Sequence, residues 1–239
     1  MITSPTNEKL KLVRKLARRR DREREGLFVT EGEDLLEAGL AAGADPRFIL
    51  SAAGSGLDGE EVDADLLDEL SALGSGTRVI AVWEERWADG PGERAVYLHG
   101  VGDPANVGAI VRSAHALVDA FAVLGPDTAD PYSAKAVRAS MGSVFAQPLF
   151  RGGLEATPRP RAALVAHGGE SLDALAGAAT LCLGAEREGL PEDVVRKCEV
   201  SVTIPLRPGG AESLNVAAAA AIACERLSSP DPEAESQRA

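Results

Sequence analysis

The chain has 239 residues, enough for one large domain or for a small domain followed by a medium one. Its net charge of −12 at pH 7 argues against a protein that coats nucleic acid without specificity. No apolar run approaches the roughly 20 residues that cross a bilayer, and residues 1–20 lack the apolar core of a signal peptide. We therefore expect a globular protein of the cytoplasm.

Cysteine and histidine are too scattered to predict a disulfide framework or a metal site. The three cysteines show no CxxC spacing, and the three histidines form no HxxxH pair. We expect no bound metal, and we expect the cysteines to be small buried or half-buried apolar residues. The cysteines are Cys182, Cys198 and Cys224, and the histidines are His99, His115 and His167.

The chain opens with a basic segment that predicts an amphipathic helix over residues 7–24. Apolar residues recur there at helical spacing between lysines and arginines. Such a helix can present an ordinary solvated face or a surface that contacts phosphates. The residues that we expect to contact RNA phosphates are Lys9, Lys11, Arg14, Lys15, Arg18 and Arg19.

Short strands and helices alternate through the remainder of residues 1–90. This pattern predicts a small α/β domain, and the Gly and Pro residues of 88–93 predict a linker after it. The predicted strands cover 27–30, 48–50 and 77–84, and the predicted helices cover 31–42 and 62–73.

Continuous apolar strands alternate with helices over residues 93–228. This alternation predicts a second α/β domain, built on a mainly parallel sheet that helices cover on both faces. A polar tail follows over residues 229–239. The predicted strands cover 95–101, 120–125, 146–150, 162–166, 180–185 and 200–206, and the predicted helices cover 104–117, 133–141, 191–197 and 213–227.

The loop after the first strand of this second domain has two possible interpretations. Gly100-x-Gly102-x-x-Ala105 follows a strand and opens a helix, which formally satisfies a dinucleotide fingerprint. A nicotinamide or flavin enzyme is therefore one alternative, although its expected acidic residue, Asp127, comes later than ideal. The same helix contains Arg112, which interrupts an apolar face and can be either a functional group or an exposed flank residue.

Two later loops carry unusual residues at the ends of apolar strands. Residues 183–191 follow a strand at the edge where ligands of parallel sheets bind, and their glycines allow close approach of backbone. Residues 204–227 contain Ser213, a credible cap for the following helix. A capping role does not account for Asn215, which has a low helix propensity and precedes a run of alanines.

Together these segments resemble the three motifs of the SpoU family of RNA ribose methyltransferases, in the SPOUT superfamily. The first motif, Asn-x-Gly-x-Ile-x-Arg, corresponds to residues 106–112. The second corresponds to residues 183–190, and the third to Ile-Pro at 204–205 and Ser-Leu-Asn-Val at 213–216. Residues 1–90 are similar to the ribosomal-protein-like substrate-binding domain that is often fused ahead of these enzymes.

The resemblance implies a fold, a reaction and a cofactor. Residues 93–228 would form the methyltransferase domain, with a C-terminal deep trefoil knot, and the protein would be a homodimer. The reaction would transfer a methyl group from S-adenosylmethionine to a ribose 2′-hydroxyl of RNA. The expected substrate is 23S-type ribosomal RNA. A resistance methyltransferase that modifies such RNA is a special case of this function. The alternatives are a transfer RNA ribose methyltransferase and a non-catalytic RNA-binding protein of the same fold.

The resemblance also assigns site residues by matching positions. Arg112 would be the central catalytic residue; because arginine stays protonated, we expect it to clamp a phosphate or stabilise an alkoxide and not to act as a base. The 207–212 loop is about one residue longer than in common family members, which affects the cofactor contacts there. The catalytic set is Asn106, Arg112, Glu186, Ser213 and Asn215, and the cofactor-binding set is Gly168, Leu183, Gly184, Gly189, Ile204, Leu206 and Leu214.

Overall fold

The computed structural model of the chain describes residues 1–71 and 76–228. The predicted tail, 229–239, and the end of the predicted helix 62–73 therefore lie outside the described residues. None of the helices in the described ranges has the length and apolar character needed to cross a membrane.

Helices and strands are mixed along the chain, and elements of the same kind follow one another at several points. The helices are α1 (Glu8–Leu16), α2 (Arg19–Glu25), α3 (Glu33–Ala41), α4 (Ala64–Asp68), α5 (Pro104–Leu117), α6 (Ala134–Ser140), α7 (Ser143–Ala146), α8 (Glu192–Val195) and α9 (Val216–Ser228). The strands are β1 (Leu27–Glu31), β2 (Phe48–Ala52), β3 (Glu60–Val62), β4 (Val79–Glu84), β5 (Ala95–Leu98), β6 (Phe121–Leu124), β7 (Leu149–Arg151), β8 (Arg161–Leu164), β9 (Thr180–Leu183) and β10 (Val200–Val202).

The described chain divides into two compact units. Unit 1 contains Met1–Arg86 and also Asp130–Ala146, which carries α6 and α7. Unit 2 contains Trp87–Ala129 and the chain from Gln147 onward. The segment 130–146 thus groups with unit 1, although it lies within the sequence range predicted for the second domain.

Unit 1 is built on a four-stranded sheet in the order β1-β4-β2-β3. The β1–β4 and β4–β2 pairs are antiparallel, whereas β2 and β3 are parallel. The apolar faces of α1 and α4 pack with this sheet into a core that includes Leu10, Leu16, Leu50, Leu67 and Ile80. The α/β character of this unit was predicted, whereas its short strand β3 was not.

A buried ion pair joins the segment 130–146 to the remainder of unit 1. Arg22 donates to Asp130 Oδ2 from Nε at 3.0 Å and from Nη2 at 2.7 Å, and both side chains are almost fully buried. Tyr132 and Phe145 add ring contacts to Phe28, at centroid distances of 4.7 and 5.6 Å. These contacts explain why a segment from the middle of the chain belongs to the N-terminal unit.

The prediction of one helix over residues 7–24 is wrong, because the chain forms two helices there. Arg18 adopts an extended conformation, with φ −96° and ψ 131°, between α1 and α2. The Nη1 of Arg22 donates to the carbonyl oxygens of Leu16 and Ala17 at 2.8 and 3.0 Å. The arginine side chain therefore satisfies carbonyl groups that a continuing helix would have used, and α1 ends.

Unit 2 is built on a six-stranded sheet in the order β10-β8-β9-β5-β6-β7, and all of its strand pairs are parallel. This sheet confirms the predicted α/β fold with a parallel sheet. Helices α5 and α9 pack against each other, and small residues such as Gly108, Ala220 and Ala223 are buried in them. Cys182 and Cys224 are buried and Cys198 is half-buried, as predicted.

The buried pair of unit 1 gives a first testable prediction. Asp130→Asn leaves the Arg22 charge buried without its partner, so we expect the free energy of unfolding to fall by about 3 to 5 kcal/mol. The matched control is Arg19→Ala, which removes the exposed Arg19–Glu23 pair and is expected to cost less than about 1 kcal/mol. Urea unfolding followed by tryptophan fluorescence measures both variants, and equal effects would contradict the prediction.

Candidate active site

A cavity of about 300 Å³ lies in unit 2 at the carboxyl edge of the parallel sheet. Its walls combine the ends of β8 and β9 with the segment between β10 and α9. Gly168, in a turn after β8, does not line it, whereas the other residues predicted to bind a cofactor do. Those lining residues are Leu183, Gly184, Gly189, Ile204, Leu206 and Leu214.

The loop after β9 closes on itself beside this cavity. Ala185 and Gly189 exchange backbone hydrogen bonds of 3.1 and 3.0 Å. A Cβ on Gly184 would collide with the backbone of Gly189 and Leu190, and Gly189 has a positive φ of 69°. Both glycines are therefore required by the geometry, which presents Glu186 on the tip of a narrow loop.

Glu186, Asn106 and Asn215 form a chain of hydrogen bonds, although they come from three separate segments. Asn215 Nδ2 donates to Asn106 Oδ1 at 3.0 Å, and Asn106 Nδ2 donates to Glu186 Oε1 at 2.8 Å. Glu186 also accepts the backbone N–H groups of Gly102 at 3.3 Å and Asp103 at 3.2 Å. In each asparagine the amide oxygen accepts one hydrogen bond and the amide nitrogen donates another, so the orientation of both side-chain amides is fixed.

These hydrogen bonds keep Glu186 ionised. Partial burial raises the pKa of this carboxyl, but the hydrogen bonds from Asn106 and from the backbone N–H groups lower it more, and the pKa lies below its usual value. At neutral pH Glu186 is therefore a carboxylate that accepts hydrogen bonds. A carboxyl whose pKa lies below its usual value is a poor general base near pH 7.

The cap of α9 is Asn215 and not Ser213, so the suggested capping role of Ser213 is wrong. The helix begins at Val216, and Asn215 Oδ1 accepts the backbone N–H groups of Ala217 at 2.9 Å and Ala218 at 3.4 Å. Ser213 instead lines the cavity. Asn215 thus connects the first turn of α9 to the polar chain that ends at Glu186.

Arg112 lies on α5 outside this hydrogen-bonded chain. An ideal helix places it about 9 Å further along the axis than Asn106 and about a third of a turn away around it. Its side chain is exposed, and within residues 1–71 and 76–228 it makes neither a hydrogen bond nor an ion pair. The structure therefore brings Asn106, Glu186 and Asn215 together and leaves Arg112 facing solvent.

The same geometry argues against the dinucleotide alternative. A dinucleotide fold binds pyrophosphate with the backbone N–H groups that open the first helix. Here the N–H groups of Gly102 and Asp103 already donate to the Glu186 carboxylate. A pyrophosphate would have to displace this ionised carboxylate, so the loop is built for a different purpose.

The basic residues of α1 and α2, in unit 1, are mostly paired with acidic residues. Of the six predicted to contact RNA, all but Arg18 form ion pairs within unit 1. Arg20, which the prediction omitted, also makes no ion pair with any residue that the structure describes. Arg18 and Arg20 flank the start of α2, and they are the cations of this segment whose charge is not already compensated.

Two family descriptions match the chain. Residues 93–225 match the SpoU rRNA Methylase family, and residues 7–88 match the MRM3-like substrate binding domain. A curated relative, the 23S rRNA (guanosine(2553)-2′-O)-methyltransferase RlmP of Bacillus subtilis, is 30% identical, and the match covers 92% of this chain and 96% of the relative.

Solved structures of similar proteins cover the same span. An AdoMet-bound rRNA methyltransferase from Sinorhizobium meliloti superposes with a TM-score of 0.81 at 27% identity, covering 95% of this chain and 96% of that chain. The AdoMet complex of the SpoU methyltransferase AviRb from Streptomyces viridochromogenes gives a TM-score of 0.79 at 25% identity, covering 92% and 97%.

The capping contact of Asn215 gives a second testable prediction. Asn215→Ala removes the cap of α9 and one partner of Asn106, so we expect a loss of about 1 kcal/mol and a fall in Tm of a few degrees. Ser213→Ala is the matched control, since Ser213 caps nothing, and its Tm should stay within about a degree of the wild type. Thermal unfolding followed by circular dichroism distinguishes them, and the reverse order would refute the assignment of the cap.

Proposed function

Because this chain belongs to the SpoU rRNA methylase family, we propose that it transfers a methyl group from S-adenosylmethionine to a ribose 2′-hydroxyl of ribosomal RNA. The observation that carries the proposal is the polar chain Asn215–Asn106–Glu186, which joins residues of all three motifs beside the unit 2 cavity.

The proposed reaction is tested by measuring transfer of labelled methyl to purified ribosomal and transfer RNA, with nucleoside analysis of the product. A 2′-O-methylated nucleoside from ribosomal RNA is the expected product, and failure to label either RNA would contradict the proposal.

The cavity fits the proposed cofactor in size and chemistry. Its volume of about 300 Å³ lies at the lower end of the range for small-molecule sites, and Leu183, Ile204 and Leu206 provide apolar walls for an adenosine. The ionised Glu186 also lines the cavity, where its charge complements a sulfonium cation. When bound, S-adenosylmethionine supplies a methyl group that is already activated by the positive sulfur. Gly168 is the one predicted cofactor residue without support from the cavity.

The chain's own residues must align and activate the ribose. A 2′-hydroxyl is a weak nucleophile that loses its proton as it attacks, so it has to be held in line with the methyl group. Asn106 and Asn215 each keep one amide hydrogen beyond those used in the polar chain, and these can orient the ribose. Ser213, at the cavity wall, can accept or relay a hydrogen bond.

We assign the electrostatic role to Arg112 and the positioning role to Glu186. Arg112 is exposed without an internal ion pair in the described parts of the chain, so its guanidinium can bind an RNA phosphate or stabilise the developing alkoxide. Glu186 holds Asn106 and the start of α5 in place through the hydrogen bonds that it accepts. Its lowered pKa makes it unsuitable as the proton acceptor.

The role of Arg112 gives a third testable prediction. Arg112→Ala is expected to lower the rate of methyl transfer by at least 100-fold, the cost of removing one strong electrostatic group. Cofactor affinity, measured by calorimetry, should not change, because Arg112 does not line the cavity. Arg112→Lys keeps the charge but not the planar fork and should recover only part of the rate. An Arg112→Ala enzyme with normal turnover would overturn the assignment.

We propose that residues 1–90 bind the RNA substrate and residues 93–228 carry out methyl transfer. The match of residues 7–88 to a substrate-binding domain supports the first role, and the cavity supports the second. Because most cations of α1 and α2 are paired internally, the uncompensated Arg18 and Arg20 would supply most of the attraction for phosphates. Lys9, Lys11, Arg14, Lys15 and Arg19 would have to exchange their acidic partners for phosphates.

A fourth testable prediction follows for RNA binding. The double variant Arg18→Gln, Arg20→Gln is expected to weaken RNA binding and to lower the slope of log K against log salt by about 1 to 2. The control Lys11→Gln, Arg19→Gln removes the same charge from residues that are paired within their helices and should have a smaller effect. Filter binding at several salt concentrations measures the slopes, and equal slopes for the two variants would contradict the proposal.

We also propose a homodimer, a C-terminal trefoil knot and a location in the cytoplasm. Leu117 on α5 and Ile222 on α9 are exposed apolar side chains, at 37% and 40%, and a second copy could cover them. The knot rests on family membership, and the cytoplasmic location rests on the ribosomal RNA substrate. An experimental structure of the protein with S-adenosylmethionine would test the dimer and the knot together.

A further inference from the structure

Trp87 and Arg151 form a stack in unit 2 that the proposed reaction does not use. The guanidinium carbon of Arg151 lies 4.3 Å from the centroid of a Trp87 ring, well within the range of a cation–π contact. Arg151 is exposed and Trp87 is half-buried, so the stack reaches the surface. Flat aromatic and guanidinium groups of this kind are the surfaces on which unpaired nucleobases stack.

Backbone hydrogen bonds hold both residues of the stack to the sheet. Ala88, next to Trp87, donates its N–H to Leu149 O at 2.7 Å, which fixes that segment along β7. Arg151 is the last residue of β7, and the following N–H, from Gly152, donates to Leu124 O at 3.2 Å. Arg151 therefore lies on a strand, and Trp87 lies next to a residue that is hydrogen-bonded to that strand.

The register of the sheet places the stack at the same edge as the candidate active site. Arg151 pairs with Leu124, which pairs with Leu98, so the three residues form one row across β7, β6 and β5. With about 4.8 Å between strands, the backbone of Arg151 lies about 10 Å from the end of β5. The chain that leaves β5 carries Gly102 and Asn106, which contact Glu186.

We propose that Trp87 and Arg151 form a stacking site for an unpaired nucleobase of the RNA, in the nucleotide that flanks the methylated ribose. This inference rests on the proposed function for its substrate class. A base can stack on this surface only when it has left its helix. The site therefore selects RNA whose flanking nucleotide is unpaired, a preference that phosphate contacts alone cannot provide.

Fluorescence tests the stack directly, without methyl transfer. Trp83, the other tryptophan of the chain, is 1% exposed, so Trp87 is the tryptophan whose emission a stacked base can quench by contact. Adding oligouridylate to the full-length protein is expected to quench the emission, and Trp87→Phe should abolish most of the quenching. Unchanged emission at RNA concentrations that saturate binding would overturn the proposal.

Steady-state kinetics with ribosomal RNA give the second test. Arg151→Ala is expected to raise the KM for RNA roughly tenfold with little change in kcat, since one stacked base is lost and the reacting groups are untouched. The matched control is Arg196→Ala, an exposed arginine before β10 at the opposite edge of the sheet, which should leave KM unchanged. An unchanged KM for Arg151→Ala would overturn the proposal.

The two tests separate this inference from the proposed function. If the wild type methylates neither ribosomal nor transfer RNA, the proposed function fails, and the quenching still decides whether the stack binds bases. If the wild type methylates ribosomal RNA but Trp87→Phe quenches normally, the stacking site alone is refuted.

Discussion

The Glu186 carboxylate holds together the parts of unit 2 that matter for function. It accepts hydrogen bonds from the first N–H groups of the segment leading into α5 and from Asn106, and through Asn106 it reaches the cap of α9. Negative charge is favourable at a helix N-terminus, so this one side chain stabilises the start of α5 while fixing its position. These hydrogen bonds hold three loops that are far apart in sequence in a fixed position relative to one another.

The fold class and the sheet edge at which the cavity lies could be predicted because they depend on local patterns, whereas the cofactor residues that line the cavity were predicted from the family resemblance. Runs of apolar residues such as 95–98 and 180–183 are typical of buried parallel strands, and they form adjacent strands of the sheet. Glycines at 184 and 189 predicted close backbone approach, which the closed loop confirms. Features of this kind are determined by a few neighbouring residues, and a single sequence displays them.

The errors involve side chains whose partners are distant in sequence. Arg22 belongs to the basic segment that was predicted to form one helix, but it is buried against Asp130, and its side chain ends α1 by donating to Leu16 O. Asn215 is a poor residue for a helix interior, yet it precedes the helix and caps it. The Arg22–Asp130 and Asn215–Asn106 contacts each join residues about 110 positions apart, and the capping role of Asn215 depends on where α9 begins. The spacing of apolar residues along the sequence indicates neither a distant contact nor the exact start of a helix.

Unit 1 is not complete until the ribosome has made Ala146. Domains usually fold as they emerge, from the N-terminus onward. Here the first 86 residues emerge with Arg22 lacking its carboxylate and with Phe28 lacking the rings of Tyr132 and Phe145. Two strands of unit 2, β5 and β6, are synthesised before those groups arrive. Part of the first core therefore stays uncovered during this interval of synthesis, and exposed apolar surface of this kind favours aggregation.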